Sequence, residues 1–337
     1  MRASKFFFIP VFFSLSILIF AEAEITLTFG GDIMSHSVNL LPGDFRTPYI
    51  GIRGLLESDD LSFANLEFTI DDMEPMRGYP RFNVHREYVE AAIDSGIEVF
   101  SLANNHVNDL GVSGIFQTLR AVRDLKTEYG ERVHFSGLRG NVRRGFRVES
   151  INIKGFEVGF IAVTQFLNRL EESPYVFKAD YERKAERKAL LEFVRRTSGG
   201  YDIFILSYHG GVEYSRVPDP KKVAFFHEAV EAGADVVYSH HPHVNQGYEI
   251  VRRRGLRKLI IFSAGNLLSG MTGNGGRYDG ALFRVVFSVG HRLGGSATLE
   301  SLRVIPVASR KRRDGLVVVT LTEDAGKIKE YHEVEGK

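Results

Sequence analysis

The sequence contains no cysteine, although it has 337 residues. No disulfide can therefore stabilise the fold, and no thiolate can act as a nucleophile or hold a metal ion. Any metal site must be built from histidine, aspartate, glutamate and asparagine side chains. Three of the 11 histidines lie within four positions, at His240, His241 and His243. Such a cluster is hard to explain by packing alone.

A strong net charge is also missing. The 43 lysines and arginines and the 42 aspartates and glutamates give a formal net charge of +1. Nothing in this balance points to nucleic acid as a partner, so we predict that none is bound. The sequence has 44% hydrophobic and 25% charged residues, which is typical of a globular protein that can bury a full core.

The apolar run at the N-terminus, Phe6–Phe20, is short for a membrane span, which needs about 20 apolar residues. Arg2 and Lys5 precede this run, and an Ala-x-Ala sequence follows it at positions 21–23. This order is typical of a secretory signal peptide with its cleavage site. We therefore predict that residues 1–23 are a signal peptide, with an uncleaved N-terminal anchor as the alternative. Both interpretations predict an exported protein, which is periplasmic, extracellular or anchored at the outer face of the cytoplasmic membrane through this segment only.

From Glu24 onward, short β-rich runs alternate with helical patterns, which predicts parallel or mixed sheets covered by helices. The predicted strands are Ile25–Phe29, Leu61–Ala64, Val99–Leu102, Val158–Val163, Ile203–Ser207, Val236–Tyr238 and Leu259–Phe262. The predicted helices are Arg86–Ser95, Ser113–Lys126, Tyr181–Arg196 and Pro220–Ala232. Antiparallel strands are predicted at Ala281–Val289, Ala297–Val307 and Leu316–Leu321. Because no linker or repeat interrupts the chain, we predict one domain at residues 24–325, followed by a tail at 326–337.

Helix ends have their own sequence signals. Ser113 and Asp219 stand where N-caps are expected, and Gly96 and Gly233 stand where helices are expected to end. These four residues predict the bounds of three of the helices.

Polar residues gather directly after the predicted strands. They follow five different strands and are Asp32 and His36; Asn65 and Glu67; Asn104, Asn105 and His106; His209; and His240, His241 and His243. In open α/β sheets, ligands bind at the carboxyl ends of the strands. A single residue of this kind is usually a cap or an ordinary polar group, but five strand ends together predict a functional site.

These side chains are typical of a site for a pair of metal ions. Imidazole suits zinc and other transition metals, and a carboxylate can bridge two cations and offset their repulsion. Two ions about 3.5–4 Å apart can activate a water molecule and hold the attacking and leaving oxygens. In the sequence His241-Pro242-His243, the imidazoles can point to different ions if the segment forms a turn. Without cysteine, the donor set is compatible with Mn, Fe, Zn or Co.

Six motifs occur in an order that resembles a known family. They are GGDIMSH, ANLE, SLANNH, SYHGGVEY, SHHPHVNQG and FSAGNLLSG, and they span about residues 25–270. In this order they resemble the CapA family of capsule (poly-γ-glutamate) synthesis proteins, which belongs to the calcineurin-like metallophosphoesterase superfamily. The resemblance implies an α/β fold, a four-layer α/β/β/α sandwich with mixed sheets, and a binuclear metal site on loops at one edge.

The resemblance also implies a role for each matched residue. The implied ligands are Asp32, Glu67 and His243 for the first ion, with His36 as a further candidate, and Glu67, Asn105, His209 and His241 for the second. Glu67 would bridge the two ions. His106 would face the substrate, where it would stabilise developing charge or protonate the leaving group.

The sequence departs from the superfamily pattern at two positions. Met34 stands where the superfamily usually has a histidine, so either His36 takes over or that ion has one ligand fewer. Glu67 stands where most of the superfamily has an aspartate, a substitution that CapA-like sequences share. Both departures bear on phosphatase activity more than on the expected fold.

Further residues near the expected site have candidate roles. Asp109 either orients His106 or caps the helix that follows. Glu213 and Asn266 would support ligating imidazoles, which usually need an acceptor for their second nitrogen. His240 is a candidate for a ligand, a supporting residue or a packing residue. The remaining histidines are interpreted as ordinary surface or core residues: His85, His134, His227, His291 and His332.

Three functions are compatible with these residues. The first is a CapA-like role in capsule, poly-γ-glutamate or related envelope polymer metabolism, by metal-activated hydrolysis, with the polymer and the membrane subunits of its synthase as partners. The second is a periplasmic metal-dependent phosphomonoesterase or phosphodiesterase. The third is a non-catalytic component of polymer synthesis. An intact ligand set argues against the third, because buried unpaired histidines and carboxylates are costly without a use.

Overall fold

The computed structural model describes residues 23–169, 174–272, 279–289, 297–322 and 330–331. The strands in these ranges are β1 (Ala23–Ile33), β2 (Leu61–Leu66), β3 (Thr69–Ile70), β4 (Asn83–Val84), β5 (Val99–Ser101), β6 (His134–Ser136), β7 (Glu149–Ile153), β8 (Phe156–Thr164), β9 (Ile203–His209), β10 (Val236–His240), β11 (Asn245–Arg253), β12 (Leu256–Ala264), β13 (Asn266–Leu268), β14 (Gly280–Val289), β15 (Ala297–Lys311), β16 (Val317–Leu321) and β17 (Glu330–Tyr331). The α-helices are α1 (Arg53–Leu56), α2 (Arg86–Ile93), α3 (Gly111–Tyr129), α4 (Lys184–Thr197) and α5 (Pro220–Ala232).

The first large sheet has the strand order β16–β15–β14–β1–β2–β5–β6, and the short strand β13 pairs with β1. Strands β1, β2, β5 and β6 run parallel, whereas β14, β15 and β16 are antiparallel to their neighbours. Helices α1, α2 and α3 lie in the connections between the parallel strands, because a parallel connection must cross back over the sheet. The prediction of antiparallel strands near the C-terminus is confirmed.

The second large sheet has the strand order β17–β11–β12–β10–β9–β8–β7. Its centre is parallel, from β8 through β9 and β10 to β12, and the flanking strands β7 and β11 are antiparallel. Helices α4 and α5 connect the parallel strands β8, β9 and β10. The short strand β17, in the predicted tail, pairs with β11 through Tyr248 and Glu249.

The two sheets pack face to face through aromatic side chains. Phe29 of the first sheet contacts Tyr238 of the second, with ring centroids 5.1 Å apart. Phe63 and Phe160 make a similar contact at 5.6 Å. All four side chains are buried, and aromatic side chains remove a large apolar area from water when they are buried. The main core therefore lies between the sheets.

Helices cover the outer face of each sheet. Val89 of α2 and Leu125 of α3 pack in the core outside the first sheet. Leu190 of α4 and Phe226 of α5 pack in the core outside the second. The layers are therefore α/β/β/α, and the predicted fold class is confirmed.

Helix α5 matches its prediction residue for residue. Asp219 caps it, because one carboxylate oxygen accepts a hydrogen bond from the backbone N–H of Lys221 at 2.6 Å. Pro220 suits the first position of a helix, where its missing N–H costs nothing. Gly233 ends the helix with φ of 123°, a conformation that favours glycine.

The prediction of Ser113 as an N-cap is wrong. Helix α3 begins at Gly111, and its cap residue is Leu110, which makes no side-chain capping hydrogen bond. The backbone N–H of Gly111 bonds to the carbonyl of Asn108 at 2.8 Å. The turn after β5 therefore continues directly into the helix, and Ser113 lies inside the first helical turn.

Several predictions concern residues that lie outside the described ranges. Residues 1–22 of the predicted signal peptide or anchor lie outside these ranges, and so do His291 and His332. Ala23, the last residue of that segment, begins β1. The N-terminal segment and the single domain at 24–325 therefore stay predictions. No helix in the described part of the chain is both long enough and apolar enough to cross a membrane.

Candidate metal centre

The polar strand ends meet at one edge of the two sheets. Asp32 lies near the end of β1, and Glu67 follows β2 directly. His209 ends β9 and His240 ends β10 in the second sheet, where they are paired neighbours. All four residues are fully buried. Ionisable groups from both sheets thus converge at the carboxyl ends of parallel strands, where α/β sheets usually bind ligands.

Asp32, Glu67 and His243 form one group that can hold a metal ion. Each offers one ligand atom, and these atoms lie within 4.8 Å of one another. Asp32 Oδ2 is 3.2 Å from His243 Nδ1, and Glu67 Oε1 is 3.7 Å from His243 Nε2. The structure therefore brings together three residues that the sequence assigns to the first ion.

A second group consists of Glu67, His209 and His241, again with ligand atoms within 4.8 Å of one another. Glu67 Oε1 is 3.7 Å from His209 Nε2. Asn105 Oδ1 lies only 2.6 Å from the same His209 nitrogen, so it joins this group. The four residues assigned to the second ion are thus close together, and Glu67 is shared by both groups.

Two buried atoms at this centre have no hydrogen-bond partner among the described residues. They are Glu67 Oε1 and His241 Nδ1. A buried polar atom without a partner costs about 1–3 kcal/mol. A bound cation would supply the missing partner for both atoms, and the imidazole, carboxylate and amide donors suit Mn, Fe, Zn or Co. The residues present therefore fit a metal site.

The two buried carboxylates have opposite pKa shifts. Burial alone would raise the pKa of Asp32, but its contacts with His243, His240 and Asn65 outweigh burial and lower the pKa to about 2. Burial, together with repulsion from Asp32, raises the pKa of Glu67 well above its ordinary value. Of the two carboxyl groups, Asp32 is therefore the one that loses its proton more readily.

The buried imidazoles are mostly held in their neutral form. Burial and the neighbouring imidazoles lower the pKa of His209 and His241 well below the ordinary value. Burial also lowers the pKa of His240 to about 4. For His243, burial lowers the pKa, but the hydrogen bond and charge of Asp32 outweigh burial and raise it. Neutral imidazole is the form that binds metal, so His209 and His241 are ready to act as ligands.

Metal binding is expected to release protons at this centre. The pKa values of Glu67 and His243 are raised, and both groups must lose their protons to become ligands. The affinity for Mn²⁺ should therefore fall as the pH falls below these pKa values. Calorimetric titration with Mn²⁺ near neutral pH, in two buffers of different ionisation enthalpy, counts the released protons. An apparent binding enthalpy that is the same in both buffers would contradict this expectation.

The segment His241-Pro242-His243 forms the turn that lets its two imidazoles diverge. His241 has a backbone φ of 98° and His243 a φ of 56°, values that residues other than glycine rarely adopt. The N–H of His241 donates to Asp32 Oδ2 at 3.2 Å, and the carbonyl of Pro242 accepts from the N–H of Tyr214 at 2.8 Å. The turn places His241 in the second group and His243 in the first. Backbone strain of this kind is often found at functional sites.

His106 lies beside the centre and is held by Asp109. His106 Nδ1 is 2.8 Å from Asp109 Oδ2, and the same oxygen accepts the backbone N–H of Phe82 at 2.8 Å. The ring of Phe82 packs edge-on against His106 with centroids 4.7 Å apart. Asp109 therefore contacts His106, while the helix cap is Leu110. Of the two roles left open by the sequence, the structure places Asp109 where it orients His106.

His36 is near the centre, but it belongs to neither of these two groups. Its Nδ1 accepts the backbone N–H of Gly270 at 3.2 Å, and its ring packs against Phe82 at 5.2 Å. Burial and the nearby His243 and His106 lower its pKa to about 4. Met34, at the position of the usual histidine, is buried in the hydrophobic core. The geometry thus gives no contact through which His36 replaces that ligand.

The three supporting candidates, His240, Asn266 and Glu213, all lie close to candidate ligand histidines. His240 Nε2 is 2.8 Å from the hydroxyl of Ser207, its Nδ1 is 3.0 Å from His209 Nδ1, and its side chain also groups with Asp32 and His209. Asn266 Oδ1 is 3.1 Å from His243 Nδ1. Glu213 is exposed, and its carboxylate groups with His241 and His243 on the solvent side. Each can therefore orient or assist an imidazole.

Three asparagines at the centre have no role assigned by the sequence. Asn65 Nδ2 donates to Asp32 Oδ1 at 2.8 Å, and Asn104 Nδ2 donates to the carbonyl of Leu66 at 2.6 Å. Asn168, four residues after the end of β8, contacts Asn105 and His106. A signal for Asn168 exists, because it is also a polar residue after a strand, but no histidine, aspartate or glutamate lies between the end of β8 and Asn168.

The described histidines outside the centre make ordinary contacts. His134 Nε2 is 3.0 Å from the carbonyl of Glu131, and His85 Nε2 is 2.9 Å from the carbonyl of Glu74. His227 Nε2 is 3.1 Å from a carboxylate oxygen of Glu249. None of the three is in a ligand group formed by described residues.

Comparison with known proteins places the chain among capsule synthesis proteins. The family model described as "Bacterial capsule synthesis protein PGA_cap" matches residues 26–271. The chain is 27% identical to "Capsule biosynthesis protein CapA" of Bacillus anthracis over 73% of this chain and 60% of that protein. It is 26% identical to a "Probable polyglutamine synthesis accessory protein" of Mycobacterium tuberculosis over 70% of this chain and 63% of that protein. A solved structure of a hypothetical protein from Thermus thermophilus covers 84% of this chain and 99% of its own, at 17% identity and a TM-score of 0.47.

The four-layer sandwich and the buried cluster at its edge define a metallophosphoesterase-like protein. The chain belongs to the PGA_cap family of bacterial capsule synthesis proteins. It spans about 60% of the length of the two relatives named above.

Proposed function

We propose that this protein is an exported, CapA-like hydrolase that acts on poly-γ-glutamate or a related anionic envelope polymer through a two-ion centre. The observation that carries the proposal is Glu67, a buried carboxylate shared by two groups of ligands. Its Oε1 has no hydrogen-bond partner in the described structure. A carboxylate in this position offsets the repulsion between two dications.

Two divalent ions would supply a bound water whose pKa is low enough to act as a nucleophile near neutral pH. Asp32 and His243 would hold one ion and Asn105, His209 and His241 the other, with Glu67 between them. His106 does not belong to the ligand groups formed by the described residues, which is compatible with a role toward the substrate. With Asp109 fixing its ring, His106 would donate a proton to the leaving group.

Two arginines that contact the backbone of Asp109 favour an anionic substrate. Arg81 Nε and Arg169 Nη1 both donate to the backbone carbonyl of Asp109, each at 3.3 Å. Both residues are exposed. Guanidinium groups bind carboxylates and phosphates through paired hydrogen bonds. Poly-γ-glutamate carries a free α-carboxylate on each residue, which supplies such groups next to the bond to be cleaved.

The proposal predicts metal-dependent cleavage of the polymer. Purified protein is stripped with a chelator, reloaded with Mn²⁺ and incubated with poly-γ-glutamate, and chain length and new amine ends are measured. We expect shortening of the polymer only in the reloaded sample. Turnover of an aryl phosphate without polymer cleavage would assign the phosphoesterase function instead. Polymer binding without any hydrolysis would assign the non-catalytic role.

A further inference from the structure

Asn168 contacts both Asn105 of the second ligand group and His106. It follows β8, whose end supplies none of the candidate metal ligands. Its Oδ1 accepts a hydrogen bond from Asn105 Nδ2 at 2.9 Å, and its backbone N–H donates to the Asn105 carbonyl at 3.0 Å. Its Nδ2 lies 3.2 Å from His106 Nδ1 and 3.1 Å from His106 Nε2. One side chain therefore contacts both the amide ligand and the histidine assigned to the substrate.

The contact with Asn168 decides which end of the Asn105 amide faces the centre. An asparagine side chain has an acceptor oxygen at one end and a donor NH₂ at the other. Because Asn105 Nδ2 is bonded to Asn168, its Oδ1 points toward His209 Nε2, 2.6 Å away. Rotation by half a turn would present the NH₂ group, which cannot bind a cation. Without the Asn168 oxygen as acceptor, the Asn105 amide loses the hydrogen bond from its Nδ2 that holds it in this orientation.

The segment that carries Asn168 is anchored to loops that follow two neighbouring strands of the second sheet, β9 and β10. The Gln165 Oε1 accepts the backbone N–H of Gly211 at 3.0 Å, and the Phe166 ring packs edge-on against His241 with centroids 4.9 Å apart. Asn168 itself is exposed. A substitution there removes hydrogen bonds without opening a cavity in the core.

We infer that Asn168 is a positioning residue that holds the Asn105 oxygen toward the second ion and steadies His106. The inference rests on the proposed two-ion function. Partners that orient metal ligands commonly change metal affinity by about 10–100-fold when they are removed. The effect is expected at one ion only, because the side-chain contacts of Asn168 in the described structure are with Asn105 and His106, not with the first group.

Two substitutions separate the contacts of Asn168. Asn168→Ala removes both, whereas Asn168→Asp keeps an acceptor for Asn105 Nδ2 and removes the donor to His106. We expect Asn168→Ala to bind the first Mn²⁺ normally and the second about 10–100-fold more weakly. Asn168→Asp should bind both ions at least as tightly as the unaltered protein but cleave the substrate more slowly. Asn141→Ala is the control, at another exposed asparagine, whose side chain bonds the N–H of Arg143 away from the centre.

Mn²⁺ affinity and stoichiometry are measured by electron paramagnetic resonance of the free ion, and thermal unfolding of the metal-free proteins tests folding. Loss of the second site in Asn168→Ala and its rescue in Asn168→Asp would support the inference. If Asn168→Ala binds two ions as tightly as the unaltered protein, the inference is overturned while the proposed function stands. If the unaltered protein binds no Mn²⁺, both are overturned.

Discussion

Glu67→Gln is expected to remove more than one ion's share of the bound metal. The carboxylate of Glu67 lies in both ligand groups, so its charge is the one that offsets repulsion between two dications. Glutamine keeps the shape of the side chain and removes this charge, which weakens both sites together. The measurement is metal content per chain, by elemental analysis, after loading with Mn²⁺ and removal of free ion. The buried amide should be tolerated, since it has the size of the carboxyl group and burying an uncharged polar group costs less than burying a charge.

Glu249→Gln is the matched control for this prediction. Glu249 is also a buried glutamate, but it lies on β11 and contacts His227 away from the centre. Its substitution should leave metal content unchanged. Full occupancy of both sites in Glu67→Gln would refute the shared carboxylate. An unaltered protein without any bound metal would refute the two-ion centre and favour the polymer-binding alternative.

His106→Ala is expected to keep its metal and to lose most of its turnover. The structure places His106 against Asp109 and Phe82 and outside the ligand groups formed by the described residues. Its loss should therefore affect proton transfer to the substrate more than ion binding. A general acid or base typically contributes about 10²–10⁴-fold to the rate. The measurement is the rate of poly-γ-glutamate cleavage at saturating Mn²⁺, together with metal content for the same preparation.

His227→Gln serves as the control for a histidine outside the centre. It should change neither the rate of polymer cleavage nor the metal content. Loss of metal in His106→Ala would move His106 into the ligand set. Retained metal with unchanged turnover would show that His106 does not take part in catalysis.

Helix α5 shows that local sequence signals can predict both ends of a helix. Its cap Asp219, its first residue Pro220 and the glycine that ends it, Gly233, act within a few positions of the chain. Capping and φ preferences are set by short-range sterics and hydrogen bonds, so the helix is predictable to the residue. Ser113 has the right residue type for a cap, but a turn that begins at Asn108 starts α3 earlier. A neighbouring turn can therefore override a local signal.

The sequence pattern predicted parallel or mixed sheets covered by helices and the residues available for a metal site, whereas the four-layer arrangement was implied by the family resemblance. Strands that alternate with helices form parallel sheets, whose carboxyl ends share an edge, so polar residues after those strands were predictable as neighbours. With no cysteine in the chain, the histidines and carboxylates at that edge were the remaining donors. Asp32, Glu67 and His209 follow from these two arguments.

Which of these side chains meet depends on the packing of the two sheets. Asn105 and His209 are 104 positions apart, yet their side chains lie 2.6 Å apart. His36 is close to Asp32 in sequence but bonds to Gly270 instead of joining its group. Asn168 contacts Asn105 from beyond the end of β8, where no histidine, aspartate or glutamate precedes it after the strand. The distances between these side chains depend on how two sheets pack against each other, and local patterns of the chain do not encode that packing.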